Sequence, residues 1–251
     1  LMSLRLVLAQ PVVADGRVSA VRLTDGREIA GDLFVDATGI EASILSAIDR
    51  AASADIAIST CNNIMVADAA PLRPIPLYGR MQAHPAGWSA FYPMQDRTGI
   101  VVAYDGTLID DDEAVKLAGL PLVTTPEFHV LAPQHRPRPW VGNVVAVGDA
   151  ASVPEPIAAT RLHRMQISIT HLVALFPVRA DAMVESEIYN EEIAAYHARL
   201  TDFQAMHYLL NRRSDPFWKA ARMRKASPEL AAKIDLFEAR GMIAQYNQES
   251  F

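Results

Sequence analysis

Apolar positions in the first 150 residues fall into short strand-like runs separated by turn residues. Val18, Val21 and Leu23 lead through Thr24-Asp25-Gly26-Arg27 into Glu28-Ile29-Ala30. An Asp-Gly pair between two such runs predicts a hairpin in which both turn positions take positive φ. Leu33-Phe34-Val35-Asp36-Ala37-Thr38-Gly39 follows. An apolar run ending in small residues predicts a strand buried on both faces of an α/β sheet. Between Asn62 and Ala103 prolines break up further strand pieces, at Ile64-Met65-Val66, Tyr78, Trp88 to Tyr92 and Gly99 to Tyr104. Val141 to Val147 reads as another buried strand, closing on Gly148-Asp149-Ala150-Ala151.

The helical pattern comes later. Asp110-Asp111-Asp112-Glu113 suits the start of a short helix, because acidic side chains favour its N-terminus. Leu162, Met165, Ile167, Ile169, Leu172, Leu175 and Phe176 fit a helix from Thr160 to Phe176 packed on most sides. Asn190 to Asn211 predicts a long helix with Ile193, Tyr196, Leu200, Phe203, Met206, His207 and Leu210 on one face. Ser227-Pro228-Glu229 is a helix start and Gly241 its stop. Arg136-Pro137-Arg138-Pro139 excludes regular structure, and its two arginines read as a solvated loop or as partners for a phosphate. The expected fold is α/β (α+β), a mixed sheet module over 1–178 followed by a helical region over 179–251.

Composition narrows the function. The 251 residues are 51% hydrophobic and 21% charged with a formal charge of -6, so no nucleic acid is expected as partner. No apolar run reaches the ~20 residues of a membrane span. The run Leu4 to Val13 is short, interrupted, and lacks a cleavage site. One cysteine, Cys61, excludes an internal disulfide and suits the cytoplasm. The seven histidines lack metal-ligand spacing, His163 and His171 being eight apart, so no metal is expected. Leu1-Met2-Ser3, running straight into strand-like sequence, is expected of a fragment.

Two strand ends carry the chemistry. Asp36-Ala37-Thr38-Gly39 resembles the alanine-threonine-glycine strand end of two-dinucleotide-binding-domain flavoproteins, where the glycine lets the backbone approach the cofactor. Gly148-Asp149 resembles the glycine-aspartate motif of flavin monooxygenases, whose aspartate bonds ribityl or ribose hydroxyls. The helix after it would aim N–H groups at the ring or a bound anion. Each alone is also what any strand leading into a turn looks like; both in this order, each at a strand end where α/β ligands bind, favour a flavin.

The surroundings extend the resemblance. Trp140 through Pro156-Ile157, Leu172 through Pro177, Asp202-Phe203 with His207-Tyr208, and Asp215-Pro216-Phe217-Trp218 are similar to the flavin-dependent tryptophan halogenases, from about Gly16 to the end. The resemblance implies FAD reduced by a separate flavin reductase, and oxygen and a halide such as chloride giving hypohalous acid. That acid travels through a tunnel to a lysine beside a small aromatic substrate, assisted by a glutamate. It implies cofactor contacts at Asp36, Ala37, Thr38, Gly39, Gly148, Asp149, Pro156 and Ile157, halide contacts at Thr160 and Arg161, and a tunnel motif at Trp88, Phe91 and Pro93. A homodimer is left open.

The departures are specific. The second tryptophan and the isoleucine of the tunnel motif are Ala90 and Tyr92, and the assisting glutamate is Ala158, which cannot handle a proton. Arg161 follows Thr160 where the family has glycine or serine; there it could strengthen anion binding or fill the site, and helical geometry points it to the surface. No Gly-x-Gly-x-x-Gly occurs, and Lys116 is the only lysine before residue 219. In the family that fingerprint and the catalytic lysine lie in the N-terminal portion, so this chain alone is expected to be inactive. The alternatives are a flavin monooxygenase and a non-catalytic protein of the same fold that binds a ligand or partner.

Overall fold

The computed structural model describes residues 8–51, 54, 55, 61–245 and 249; the start of the chain lies outside them. The strands are β1 (Leu8–Ala14), β2 (Arg17–Leu23), β3 (Glu28–Ala30), β4 (Phe34–Asp36) and β5 (Ala54–Asp55). Next come β6 (Asn63–Ala69), β7 (Arg80–His84), β8 (Gly87–Pro93), β9 (Thr98–Tyr104) and β10 (Glu127–Val130). Then follow β11 (Gln134–His135), β12 (Trp140–Val141), β13 (Val144–Ala146) and β14 (Ser152–Val153). The helices are α1 (Asp111–Lys116), α2 (Arg161–Ala174), α3 (Glu185–Leu209), α4 (Pro216–Arg222) and α5 (Pro228–Arg240). After β14 the described residues form no strand, so the chain is α/β with its helices gathered late. Contacts group them into two compact units, one within 1–56, 133–200 and 245–251, the other within 57–132 and 201–244.

The first unit holds three small sheets, β1-β2-β3, β14-β11-β5 and β12-β13-β4. β13 is its centre. Val144 and Ala146 face a cluster with Val18, Phe34, Ala42 and Leu45. Val145 faces the other way, against Trp140, Leu172, Tyr189 and Ile193. Alternate side chains of a strand leave opposite faces, so three residues serve two cores.

Several expectations are corrected here. The run 141–147 is not one strand: Gly142-Asn143 turns it back into the β12–β13 hairpin. β4 is not buried on both faces, since it is the edge of its described sheet and Val35 is 47% exposed. The hairpin at Asp25-Gly26 forms, but only Gly26 takes positive φ; the turn with two positive-φ residues is Asp15-Gly16, joining β1 to β2. α2 is not packed on most sides. Its buried residues are Arg164, Ser168 and Leu172, while Leu162, Ile169 and Val173 are exposed.

In the second unit the antiparallel order β10-β6-β9-β8-β7 makes one sheet. Met65, Ala67, Ile100, Val102 and Tyr104 pack against Ala114 and Ala118 from α1 and the turn after it. α1 starts in a capping box between Asp110 and Glu113, worth about 1 kcal/mol in helices generally. Tyr78 is exposed and outside any strand; the edge strand β7, too polar to read from the sequence, begins at Arg80. The long helix begins five residues earlier than expected, at Glu185, and leaves Leu210 exposed beyond its end. Ser227 caps α5 by accepting from the Leu230 amide.

Candidate functional site

β4 and β13 run parallel, with Phe34 opposite Val144, Val35 opposite Val145 and Asp36 opposite Ala146. Their C-terminal ends are therefore level, and the Val147 amide donates to the Asp36 carbonyl at 2.9 Å. This pairing brings together the two strand ends, about 110 residues apart in sequence. The carboxyl end of parallel strands is where open α/β sheets bind ligands.

Asp36 itself is sealed in the turn. One carboxylate oxygen accepts from the Thr38 amide at 3.0 Å and its hydroxyl at 2.7 Å. The other accepts from the Ile44 and Leu45 amides at 2.9 and 2.8 Å. Asp36 is 0% exposed, so a ligand here meets Ala37, Thr38 and Gly39, not the carboxylate. Gly39 has φ +84, and a Cβ there would find nothing within 4 Å.

Across from it, residues 148–150 form one tight turn in which Gly148 has φ +60. The Asp149 carboxylate is gripped from both sides. Arg164 Nη2 donates to Oδ1 at 2.9 Å, and exposed Arg161 bonds Oδ2. Arg161 is thus at the surface, as expected, with 77% of its side chain exposed. Pro156 is half-buried, while Ile157 and Thr160 are buried. Between them Ala158 (φ 59) and Ala159 (φ 53) both adopt left-handed backbone and are exposed. The Thr160 side chain does not cap α2, so it leaves the first-turn amides without a capping acceptor.

Two functional candidates, Arg164 and His197, escaped the sequence reading, and Arg136 departs from its solvated-loop expectation. Arg164 is a cation at a position where the hydropathy pattern shows nothing. His197 on α3 is buried beside Ser152, Nε2 to Oγ 3.1 Å. Burial, then the nearby His135 and Arg164 charges, push its pKa down to about 3. Arg136 is not a solvated arginine: it donates to the Ala150 carbonyl at 3.2 Å and to Ser46 Oγ at 2.8 Å. Arg138 is exposed.

The tunnel-motif residues divide between the two faces of β8 in the second unit. Buried Trp88 donates its indole N–H to Tyr208 Oη at 3.1 Å. Tyr208 stacks on Trp218, ring centres 5.5 Å apart, and Trp218 donates to the His84 carbonyl at 2.7 Å. Phe91 and Pro93 lie on the other face, lining a cleft of about 340 Å³ with Leu72, Tyr78 and Arg80. Lys116 is exposed on α1. Among the described residues no group of histidine, cysteine or carboxylate side chains could hold a metal, and no helix is long and apolar enough to cross a membrane.

Known proteins resemble the chain over nearly all its length. The tryptophan halogenase family model matches residues 7–251. Tryptophan 6-halogenase ThaL of Streptomyces albogriseolus is 30% identical over 234 residues, 89% of this chain and 44% of its own. Tryptophan 7-halogenase RebH of Lentzea aerocolonigenes is 26% identical, over 90% of this chain and 44% of its own. Among solved structures, BrvH, a flavin-dependent halogenase from Brevundimonas sp. BAL3, matches at TM-score 0.90 and 29% identity, over 99% of this chain and 52% of that one. The chain therefore spans less than half the length of these curated relatives.

Proposed function

The chain belongs to the tryptophan halogenase family, and from that premise we propose that the protein it is part of is an FAD-dependent halogenase acting on a small, electron-rich aromatic substrate. The observation that carries the reading is the parallel β4–β13 pair, which sets Thr38-Gly39 beside Gly148-Asp149 at one edge. The open space over Gly39 fits a cofactor there. FAD, reduced by a separate flavin reductase, would supply with oxygen the oxidising power that halide needs.

The chain's own residues have limited roles in this chemistry. Ala37 to Gly39 give backbone contact, and Asp149 gives a hydroxyl acceptor. The first-turn amides of α2, with Thr160 and Arg161 beside them, suit an anion of halide size. Ala158 neither holds nor moves a proton, so any group that does must come from elsewhere in the protein.

The substitutions at Ala90 and Ala158 favour a second reading, a flavin monooxygenase without halide transfer. The first experiment is the visible spectrum of the full-length protein with FAD. No flavin absorbance and no affinity would sink both readings in favour of a non-catalytic role. If FAD binds, supplying a reductase, bromide and indole separates the two: a brominated product supports the halogenase, an oxygenated one the monooxygenase.

A further inference from the structure

Arg164 is 2% exposed, and what it bonds is all in one place. Nη2 donates to Asp149 Oδ1 at 2.9 Å, and Nη1 to the Gly148 carbonyl at 2.9 Å and to Ser152 Oγ at 3.0 Å. The Ser152 carbonyl is a further acceptor. Every partner lies within residues 148–152, the turn that follows β13. A buried guanidinium is costly to desolvate and keeps its proton. Neutral donors would suffice to hold three carbonyl and hydroxyl oxygens. The feature that calls for a fixed cation is the Asp149 carboxylate.

The guanidinium is itself held. Ser152 Oγ lies between Arg164 Nη1 and His197 Nε2, so Asp149, Arg164, Ser152 and His197 form one connected chain from the strand edge into the α3 face. His135 stands edge-on to His197, ring centres 5.8 Å apart. Burial keeps the His197 ring neutral, so His197 itself adds no cation beside the buried arginine. The contact to Arg161 is of another kind: that side chain is largely in water, where an ion pair is weak and readily exchanged.

We infer that Arg164 is a positioning residue for the flavin, holding the Asp149 carboxylate aimed so that its solvent-side oxygen accepts from a cofactor hydroxyl. Ser152 and His197 hold the guanidinium in register. The inference rests on the flavin reading above. It makes the four side chains one unit: Asp149 touches the cofactor, and the other three act through it.

The test uses the full-length protein, with FAD affinity measured by flavin fluorescence and apo-protein melting followed alongside. R164M is expected to weaken FAD about tenfold, the loss of one charge-assisted contact, with R164K recovering part of it. In a D149N background the same R164M change is expected to cost less than about twofold, because the effect passes through Asp149. A purely structural arginine would lower the melting temperature and weaken FAD equally in both backgrounds, which overturns the inference. Unchanged affinity in R164M overturns it too. Should R164M not fold, R164K and S152A decide: weakened FAD in either, absent from the D149N background, supports the inference, and unchanged affinity in both overturns it. A wild-type protein without FAD affinity overturns the flavin reading itself and the inference with it.

Discussion

Trp88 and Tyr208, 120 residues apart, meet through an indole N–H donated to a phenol oxygen at 3.1 Å, with both rings almost wholly buried. The contact ties β8 to the last turn of α3, and the Tyr208 ring is fixed in turn by stacking on Trp218. Y208F removes the acceptor and little volume. The expected loss is on the order of 1–2 kcal/mol, that of a buried hydrogen bond broken from one side. Urea denaturation measures it, and a loss below a few tenths would show that the bond holds nothing.

What could be read from the sequence was what is local. The caps at Asp110 and Ser227 are set by residues within one turn. The two strand ends were visible because each closes an apolar run on small residues, and the two occur in the order a flavin site needs. β7 was missed because its apolar face is only Met81 and Ala83, alternating with Arg80, Gln82 and His84 over five residues at a sheet edge. The α2 pattern misled for a different reason: Arg164 and Ser168 point inward while Leu162 and Val173 do not. Hydropathy cannot show that the oxygens of Gly148 and Ser152 wait inside for a guanidinium. The candidate site was thus legible in its backbone and hidden in the charges that organise it.

Two buried histidines predict acid lability. The pKa of His197 is pushed down to about 3 and that of His84 to about 4, burial being the largest cause for each. Below the ordinary value of 6.5 the unfolded chain takes up these protons and the folded one does not. Stability is therefore full above about pH 6.5 and falls as the pH drops toward 4. Urea midpoints at pH 7.5, 6.0 and 5.0 test this above the carboxylate range. H197Q should flatten the profile, and a midpoint equal at all three pH values would contradict it.

Asp36 is a structural carboxylate before it is anything else. Four donors converge on it, three amides and the Thr38 hydroxyl. D36N keeps the shape but turns one acceptor oxygen into a donor facing donors. A loss of about 2–3 kcal/mol is expected from charge-assisted bonds of this kind. Hydrogen exchange should show the Ile44 and Leu45 amides losing protection first; if they stay protected, the carboxylate is not what holds the turn.

Ala158 holds φ 59 and ψ 21, a conformation that costs an L-residue roughly 1–2 kcal/mol. A158G removes that strain but frees the unfolded chain, leaving an expected net gain of about 0.5–1 kcal/mol. A158V, branched at Cβ, should lose stability at the same position. The pair of denaturation curves reports whether the left-handed turn ahead of α2 is present in solution. Equal stability of all three proteins would say that it is not.

Gly39 and Gly148 separate folding from cofactor binding at the same strand edge. Both have positive φ, so alanine at either strains the backbone by roughly 1–2 kcal/mol. The added methyl groups differ in what they meet. At Gly148 it lies 3.2 Å from Met165 Cε, a flexible thioether end inside the unit that can give way; at Gly39 it enters open space. With melting costs alike, G39A is expected to weaken FAD by about tenfold, a lost close approach of backbone to ligand, and G148A by about twofold. Flavin titration of the two full-length variants gives the ratio. If G39A binds FAD as the wild type does, the space over β4 is not where the flavin lies.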